Sequence, residues 1–219
     1  MNVAGIVLCG GGSRRMGQTK VFLSFGAEFM LQRVVRLVGE AVGPMVVVAA
    51  RGQALPELPA QVVVTHDGRP DRGPLEGMAA GLRSLAGLAE VAFVAACDVP
   101  LLHPPLIGRV VELLGDHDAA VPHVAGRDHP LLGAYRLTVL RQVVDLLAVD
   151  QLRPTRLLDC IGTRRIMPVE LADVDPLLES LTNLNTPANY AQALKQATGI
   201  AGQGTGIGDR DSGTGGTGV

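Results

Sequence analysis

Three short runs of this chain consist almost entirely of apolar residues, and longer mixed segments separate them. A strand with one solvent-facing side alternates apolar and polar residues, whereas a strand that is apolar throughout is buried on both faces, as in a parallel sheet covered by helices. The pattern therefore predicts an α/β fold, in which a single three-layer Rossmann-like domain contains a mostly parallel central sheet. The apolar runs are residues 3–9, 45–50 and 91–97.

The remaining strands and helices are predicted from residue periodicity and from proline and glycine at their boundaries. Shorter strands are expected at residues 62–65, 119–124, 131–135 and 164–169, and helices at residues 29–42, 75–85, 106–114, 137–147 and 189–197. Another helix is expected to start near Pro154. Residues 1–198 would form one domain. Residues 199–219 are rich in Gly and Thr, and they are expected to be disordered because they bury too little apolar surface to offset the entropy of ordering.

The overall composition excludes several classes of protein. Apolar residues make up 47% of the 219 residues, which is enough for a sizeable core, but aromatic residues make up only 3%, so the core depends on aliphatic side chains. The formal net charge of −2 argues against a general nucleic-acid binder. The three cysteines are too few and too far apart for a disulfide scaffold. No apolar run has the length of a membrane span, so a cytoplasmic protein is expected.

A glycine-rich segment follows the first apolar run directly. Residues 8–20 read LCGGGSRRMGQTK. Successive glycines leave backbone N–H groups accessible, and Arg14, Arg15 and Lys20 add positive charge, so the segment suits a polyphosphate. Two well-known phosphate motifs do not match, because Gln18 stands where a P-loop has lysine and Arg15 stands where a dinucleotide fingerprint has its third glycine. A flexible connection with solvated arginines would give the same pattern.

Asp98 directly follows the apolar run at residues 91–97. In open α/β sheets the ligand crevice lies beyond the carboxyl ends of the strands, so Asp98 and the glycine-rich segment are expected at the same edge. A carboxylate in that position suits Mg²⁺, which takes one or two carboxylates together with phosphate oxygens. The alternative is a capping or turn aspartate before Pro100, but a phosphate loop on a neighbouring strand favours the metal.

A segment dense in charge, glycine and proline connects the strand at residues 62–65 to the next helix. It includes Asp67 and ends at Gly73 and Pro74, which suit the first turn of a helix. The N–H groups at a helix N-terminus attract anions, and the Asp67 carboxylate could accept hydrogen bonds from the N–H and amino groups of a purine. By spacing alone, an ordinary polar loop is favoured.

Three later segments carry candidate residues for a second substrate. His129 lies in a basic turn and could contact an acceptor, although a solvated loop histidine is the more common outcome. Arg156, at the expected helix start, could bind a phosphate or face solvent. Asn183 and Asn185 alternate along an extended segment, so both side chains would lie on one side, and one of them could reach a metal or a ribose. The same segment would cap the last helix through Thr186.

Together these segments resemble the nucleotidyltransferases related to molybdenum cofactor guanylyltransferase. The matching motifs occur in the family's order and extend over nearly all of residues 3–197. The first motif is specific for the superfamily, and the combination is specific for this branch. The motifs are Leu-Cys-Gly-Gly-Gly-Ser-Arg-Arg-Met-Gly at 8–17 with Lys20, Gly-Pro-Leu-Glu-Gly at 73–77, Cys-Asp-Val-Pro at 97–100, His-Pro-Leu-Leu-Gly at 129–133 and Asn-Thr-Pro at 185–187.

The resemblance implies a fold of the nucleotide-diphospho-sugar transferase type and a Mg²⁺-dependent enzyme. The substrates would be GTP and the phosphate of a molybdopterin acceptor, and a transient protein partner in cofactor delivery is a further expectation. Asp67 would lie near guanine, and Asp98 would hold the metal. The residues implied at the nucleotide are Leu8, Cys9, Gly10, Gly11, Gly12, Ser13, Arg14, Lys20, Asp67, Gly73 and Asp98, and those expected on the acceptor side are His129, Arg156, Asn183 and Asn185.

The expected reaction is attack by the acceptor phosphate on the α-phosphorus of GTP, with loss of pyrophosphate. A phosphate monoester is already ionised near neutral pH, so no strong general base is required. Catalysis would come from positioning and charge neutralisation, with Arg15, Lys20 and Asp98 as the catalytic residues. The alternatives are a different nucleoside triphosphate, a sugar or polyol phosphate acceptor, or a nucleotide-binding module without turnover.

Three positions depart from the family's pattern. Thr19 stands where an acid usually precedes the loop lysine, residues 49–51 read Ala-Ala-Arg where an asparagine is expected, and residues 152–159 match only loosely. The glycines after Cys9 fit the guanine-using branch better than its cytidylyl-transferring relatives, which usually carry Ala-Gly.

Overall fold

The computed structural model describes residues 2–10, 20–69 and 72–201. These residues form a large mixed sheet, a small two-stranded sheet and helices on both sides of the large sheet. The strands are β1 (Val3–Leu8), β2 (Ser24–Phe25), β3 (Glu28–Phe29), β4 (Met45–Ala49), β5 (Val63–His66), β6 (Val91–Ala96), β7 (Ala119–Val124), β8 (Arg127–Asp128), β9 (Leu132–Arg136) and β10 (Thr163–Ile166). The helices are α1 (Met30–Gly39), α2 (Gly73–Ser84), α3 (Pro104–Glu112), α4 (Leu140–Ala148), α5 (Pro154–Cys160) and α6 (Pro187–Ala201).

The large sheet has the strand order β10-β7-β9-β6-β1-β4-β5, with β8 paired to β7. Strand β1 pairs in parallel with both β4 and β6, and β4 pairs in parallel with β5. The carboxyl ends of these strands therefore lie at one edge of the sheet. This topology confirms the mostly parallel sheet that the apolar runs predicted.

Strand β9 runs against both of its neighbours, β6 and β7. A tight turn with positive φ at Ala125 and Gly126 joins β7 to β8, and its twist matches that of the flanking strands. The chain then returns along β9 in the space between β6 and β7. Gly133 permits this close packing, because a Cβ there would lie 2.6 Å from Val121 Cγ1. The sequence predicted this strand but not its direction, since a run of apolar residues does not indicate whether a strand is parallel or antiparallel to its neighbours.

Helices cover both faces of the sheet and complete the predicted three layers. On one face, α1 and α3 bury Leu31, Val34 and Ile107 against the sheet. On the other, α2 and α4 bury Met78 and Val143. Helix α6 packs instead on a separate small cluster beside the two-stranded sheet, formed by Phe25, Met30, Leu101, Leu184 and Ala193.

Some element boundaries differ from those predicted. The strand expected at residues 164–169 ends at Ile166, because proline has no N–H to donate and opens a 3₁₀ turn at Pro168–Glu170. The helix expected at 137–147 begins with a 3₁₀ turn, Leu137–Val139, before α4. Helix α6 extends to Ala201, so it enters the tail predicted from residue 199, and the remainder of that tail lies outside the described residues. Within the described ranges, no helix is long and apolar enough to cross a membrane.

Candidate active site

The loops that follow β1, β4, β5 and β6 meet at one edge of the sheet. Backbone hydrogen bonds continue beyond the strands themselves: Cys97 N–H donates to Leu8 at 3.0 Å, and Asp67 N–H donates to Ala49 at 3.1 Å. These bonds hold the start of the glycine-rich segment beside Asp98 on one side. On the other side they hold the end of β4 beside Asp67. This edge is where an open α/β sheet is expected to bind its ligand.

Lys20 joins two segments that are far away in sequence. Its Nζ lies 2.8 Å from Asp98 Oδ2 and donates to Asn185 Oδ1 at 2.6 Å. The lysine opens a 3₁₀ turn, Lys20–Phe22, in which Val21 is buried in the core, so the backbone below the ammonium group is anchored. The end of the glycine-rich segment and the acidic tip of β6 therefore converge, as the sequence analysis expected.

The two oxygens of the Asp98 carboxylate differ in their contacts with the described residues. Oδ2 is paired with Lys20, whereas the buried Oδ1 has no hydrogen-bond partner among the described residues. Buried carboxylate oxygens are normally paired, so Oδ1 fits a divalent cation. The described ranges contain no group of three or more His, Cys, Asp or Glu side chains arranged for a metal. A cation at Asp98 would therefore take most of its ligands from phosphate oxygens and water, as Mg²⁺ commonly does.

The segment with the two asparagines is tied to the loop that carries Asp98. Leu184 is buried, and its N–H donates to the Asp98 carbonyl oxygen at 2.9 Å. Asn185 reaches Lys20, while Asn183 is exposed and no contact in the described part of the chain joins its side chain to Lys20 or Asp98. Thr186 Oγ1 accepts a hydrogen bond from Asn189 N–H at 3.1 Å, which is the predicted cap of α6.

Asp67 lies across β1 from Asp98, beside Gly10. A Cβ on Gly10 would lie 3.2 Å from Ala50 N and 3.5 Å from Asp67 Oδ2, so only glycine leaves this approach open. Burial and the nearby Glu76 raise the pKa of Asp67, whereas the Arg51 backbone N–H acts in the opposite direction. Glu76 itself is buried in the first turn of α2 and pairs with Arg69 at 3.0 Å.

Gly73 begins α2 at the same edge. Its φ of +71° is readily adopted only by glycine, and its position directly precedes Pro74. Arg72 fixes this end of the helix from outside, because it donates to the Leu147 carbonyl oxygen at 2.8 Å and pairs with Asp150. Gly73 thus has a clear backbone role, and its predicted contact with the nucleotide stays a prediction.

Leu8 and Cys9 contribute to the packing and hydrogen bonding of the large sheet. Leu8 is buried, and Cys9 N–H donates to Val48 at 2.9 Å. Burial raises the pKa of the Cys9 thiol to about 12, with Asp67 adding to the effect, so the group stays protonated. Their contact with a nucleotide stays a prediction. Of the other residues proposed in the glycine-rich segment, Gly11, Gly12, Ser13, Arg14 and Arg15 lie outside the described residues.

His129 lies on the far side of Asp98 from Asp67. Ala96 N–H donates to Leu131 at 3.1 Å, so the loop before β9 runs along the end of β6. Burial and then Arg127 lower the pKa of His129, which favours the neutral imidazole. Arg156 is exposed and pairs with Asp159 at 3.2 Å, and no contact among the described residues links it to Asp98 or His129.

Two groups of polar residues at this edge were not predicted. His123 Nδ1 lies 2.6 Å from Asp128 Oδ1, and Arg165 donates to the same carboxylate at 3.1 Å. Burial raises the pKa of Asp128, but the hydrogen bonds from His123 and Arg165 outweigh it and hold the value below normal. This group fixes the β7–β8 hairpin to β10. The other is Gln53, which bridges the ends of β1 and β4. Its sequence signal is weak, since Gly52 indicates a turn but not the partners of the side chain that follows it.

Comparisons with known proteins show which family and which folds this chain resembles. A family model described as a MobA-like NTP transferase domain matches residues 5–159. A protein of Mycobacterium avium (strain 104) named probable molybdenum cofactor guanylyltransferase is 40% identical over 202 residues, which cover 90% of this chain and 97% of that protein. The crystal structure of molybdopterin-guanine dinucleotide biosynthesis protein A from Archaeoglobus fulgidus matches with a TM-score of 0.74 at 22% identity, over 91% of this chain and 100% of that chain.

A second solved structure adds a metal complex to the set of similar folds. It is a Mycobacterium tuberculosis H37Rv protein in complex with manganese, with a TM-score of 0.58 at 17% identity, over 89% of this chain and 99% of that chain. At these identities the two solved structures show a shared fold.

Proposed function

Since this chain belongs to the MobA-like NTP transferase family and is a nucleotidyltransferase, we propose that it transfers the guanylyl group of GTP to the phosphate of a molybdopterin. Pyrophosphate would be the second product, and Mg²⁺ the divalent cation. The relatives' names support the substrates, and the manganese complex of a protein with the same fold supports a divalent cation.

The convergence of Lys20, Asp98 and Asn185 carries this proposal. Among the described residues, a cation, a carboxylate oxygen without a hydrogen-bond partner and a neutral amide lie together at this edge of the sheet. This combination suits a phosphate-bound divalent cation better than a structural ion pair, because a structural pair would satisfy both carboxylate oxygens. Asp67 supports guanine in particular, since a carboxylate can accept hydrogen bonds from both the ring N–H and the amino group of that base.

The proposed reaction needs no proton transfer from the acceptor. An ionised phosphate oxygen of the molybdopterin attacks the α-phosphorus of GTP, a new P–O bond forms, and the bond between the α-phosphorus and the bridging oxygen breaks. Pyrophosphate leaves with the electron pair of that bond. Lys20 neutralises charge on the phosphates, Asn185 holds the Lys20 ammonium group in position, and Asp98 would hold the cation. When bound at Asp98, the cation supplies further neutralisation of phosphate charge.

A direct assay tests the proposal. The purified chain is incubated with molybdopterin, Mg²⁺ and each of GTP, ATP, CTP and UTP, and pyrophosphate release and the dinucleotide product are measured. GTP is expected to be used in clear preference. Use of CTP with a sugar or polyol phosphate, but not with molybdopterin, would replace the proposed substrates. Nucleotide binding without turnover on any acceptor would contradict transfer altogether.

The variant Asp98→Asn provides the matching control in that assay. It keeps the size of the side chain and removes its charge, so pyrophosphate release should fall by at least about 100-fold while the fold is retained. Asp116→Asn, at an exposed aspartate before β7 and thus at the opposite edge of the sheet, should be unaffected. Near-normal activity of Asp98→Asn would overturn the metal assignment.

A further inference from the structure

Gln53 lies between the carboxyl ends of β1 and β4, and both halves of its side-chain amide are used. Oε1 accepts a hydrogen bond from Ala50 N–H at 2.9 Å, and Nε2 donates to the Cys9 carbonyl oxygen at 3.0 Å. Gln53 is therefore attached to the last residue before Gly10 and to the first residue after β4.

The two backbone groups that Gln53 bridges are the next pair in the ladder between these strands. Gly5 N–H donates to Pro44, and Cys9 N–H donates to Val48, in one constant parallel register. In the same register the following bond would join Ala50 N–H directly to the Cys9 carbonyl oxygen. The amide of Gln53 stands in place of that bond. The ends of β1 and β4 are consequently held apart by the width of an amide group.

A turn holds the glutamine in this position. Gln53 N–H donates to the Ala50 carbonyl oxygen at 3.1 Å, and Gly52, the third residue of this turn, has a φ of +72°. Within this turn, the Arg51 backbone N–H donates a hydrogen bond to the Asp67 carboxylate. The turn of residues 50–53 thus bounds a gap whose other sides are the Cys9–Gly10 backbone and Asp67.

We propose that Gln53 is a positioning residue that keeps this gap open for the base of the nucleotide. The inference rests on the proposed function, because it assumes that a nucleoside triphosphate binds at this edge. Gly10 leaves the approach to the gap free, since a Cβ there would lie within 3.5 Å of Ala50 and Asp67. The phosphates would extend from the gap toward Lys20 and Asp98 on the opposite side of β1.

The proposal makes a specific structural prediction for two substitutions. In Gln53→Ala the side-chain amide is lost, so Ala50 N–H can donate directly to the Cys9 carbonyl oxygen and the gap closes. In Gln53→Glu the shape is kept and the side chain can still accept from Ala50, but it cannot donate to Cys9, so two oxygens would repel each other. Gln61→Glu is the matched control, because Gln61 is exposed and has no side-chain partner in the described ranges.

The test compares a ligand that has a base with one that has none. Dissociation constants for GTP and for inorganic pyrophosphate are measured by calorimetry in the absence of acceptor, and kcat is measured at saturating GTP. Both Gln53 variants are expected to weaken GTP binding about tenfold. Pyrophosphate binding and kcat should stay within about twofold of the unchanged protein, as expected when the lost binding of the base is equal in the ground state and the transition state.

Two results for the variants would overturn the inference. Unchanged GTP binding in both variants would show that the amide does not affect the base. Equal weakening of GTP and pyrophosphate binding, together with a lower Tm, would assign Gln53 a purely structural part. If GTP binding depends on Gln53 but nothing is transferred to molybdopterin, the proposed acceptor is wrong and the inference about Gln53 holds. If the unchanged protein does not bind GTP, both the proposed function and the inference are wrong.

Discussion

Lys20 is the residue on which the geometry of the site depends most directly. Its ammonium group contacts a carboxylate from the end of β6 and an amide from the segment before α6. The sequence could predict that Lys20 and Asp98 share an edge, since each follows a buried parallel strand. It could not predict Asn185 as the third partner, because an alternating Asn-Leu-Asn segment does not show which asparagine faces inward.

Replacing Lys20 should affect chemistry far more than folding. Lys20→Ala is expected to lower kcat about 100-fold, because one preorganised charge contact with developing negative charge is worth about 3 kcal/mol. Steady-state kinetics with saturating GTP would measure the change. Arg83→Ala, which removes an exposed cation at the other end of α2, should have no effect. A loss below about threefold in Lys20→Ala would be incompatible with a phosphate-binding lysine.

Replacing Asp67 should have opposite effects on the stability of the fold and on the binding of GTP. Its raised pKa means that the folded protein holds this proton more tightly than the unfolded chain does, so ionisation of Asp67 favours unfolding. The stability conferred by the protonated form is lost as the pH rises from the pKa of Asp67 in the unfolded chain, about 3.9, through its higher pKa in the folded protein. At neutral pH, the neutral side chain in Asp67→Asn should therefore raise Tm, by about 1–2 °C for a partly exposed group in a domain of this size.

Thermal melts of Asp67→Asn at pH 7.5 and near pH 3.5 would measure this effect. The difference from the unchanged protein should be present at the higher pH and nearly absent at the lower one. GTP binding should weaken about tenfold at the same time, since the amide accepts fewer hydrogen bonds from guanine than a carboxylate does. If Asp67→Asn had a lower Tm than the unchanged protein at neutral pH, the raised pKa attributed to burial of Asp67 and to its proximity to Glu76 would be contradicted.

The secondary-structure elements show which features of the fold depend on local sequence. Strands β1, β4 and β6 end within one residue of their predicted ends, because runs that are apolar throughout leave few alternatives. The reversed direction of β9 was not predicted, since it depends on a hairpin turn and on the space left beside Gly133. The bridge made by Gln53 was not predicted either, because it depends on the register of β1 against β4.

The segment before α6 allows a comparison of two asparagines within one element. Asn185 contacts Lys20, whereas no contact in the described ranges joins the Asn183 side chain to Lys20 or Asp98. Asn185→Ala is expected to lower kcat/KM about tenfold, because the ammonium group loses a partner that holds its position. Asn183→Ala should cost no more than about twofold. Equal losses in both variants would show that the whole segment, and not the Lys20 contact, matters.

At the scale of the whole molecule, the sheet divides the proposed ligand between two halves. The base would lie toward β4 and β5, where Asp67 and Gln53 are found, and the phosphates toward β6, where Asp98 is found. His129 and the β7–β8 hairpin lie beyond Asp98 on the side where an acceptor would enter. Because β1 lies between β6 and β4, Gly10, which follows it closely, lies between the two halves.

Thermal shifts measured on the whole protein should report this division. GTP with Mg²⁺ at about 100 times its dissociation constant is expected to raise Tm by roughly 5–10 °C, from a linkage of about 2.7 kcal/mol. ATP, CTP and UTP at the same concentration should give smaller shifts. Removing the cation with EDTA should reduce the GTP shift. A shift that is identical for all four nucleotides would show that the base is not read.

The hydrogen bond from Lys20 to Asn185 closes a loop of 165 residues. During synthesis, a chain that has left the ribosome only as far as β10 can already form its central strands, but it lacks the asparagine that contacts Lys20. Use of GTP at the full rate would therefore begin only after the last helix has docked. A partly synthesised chain would act on its substrates more slowly than the complete enzyme.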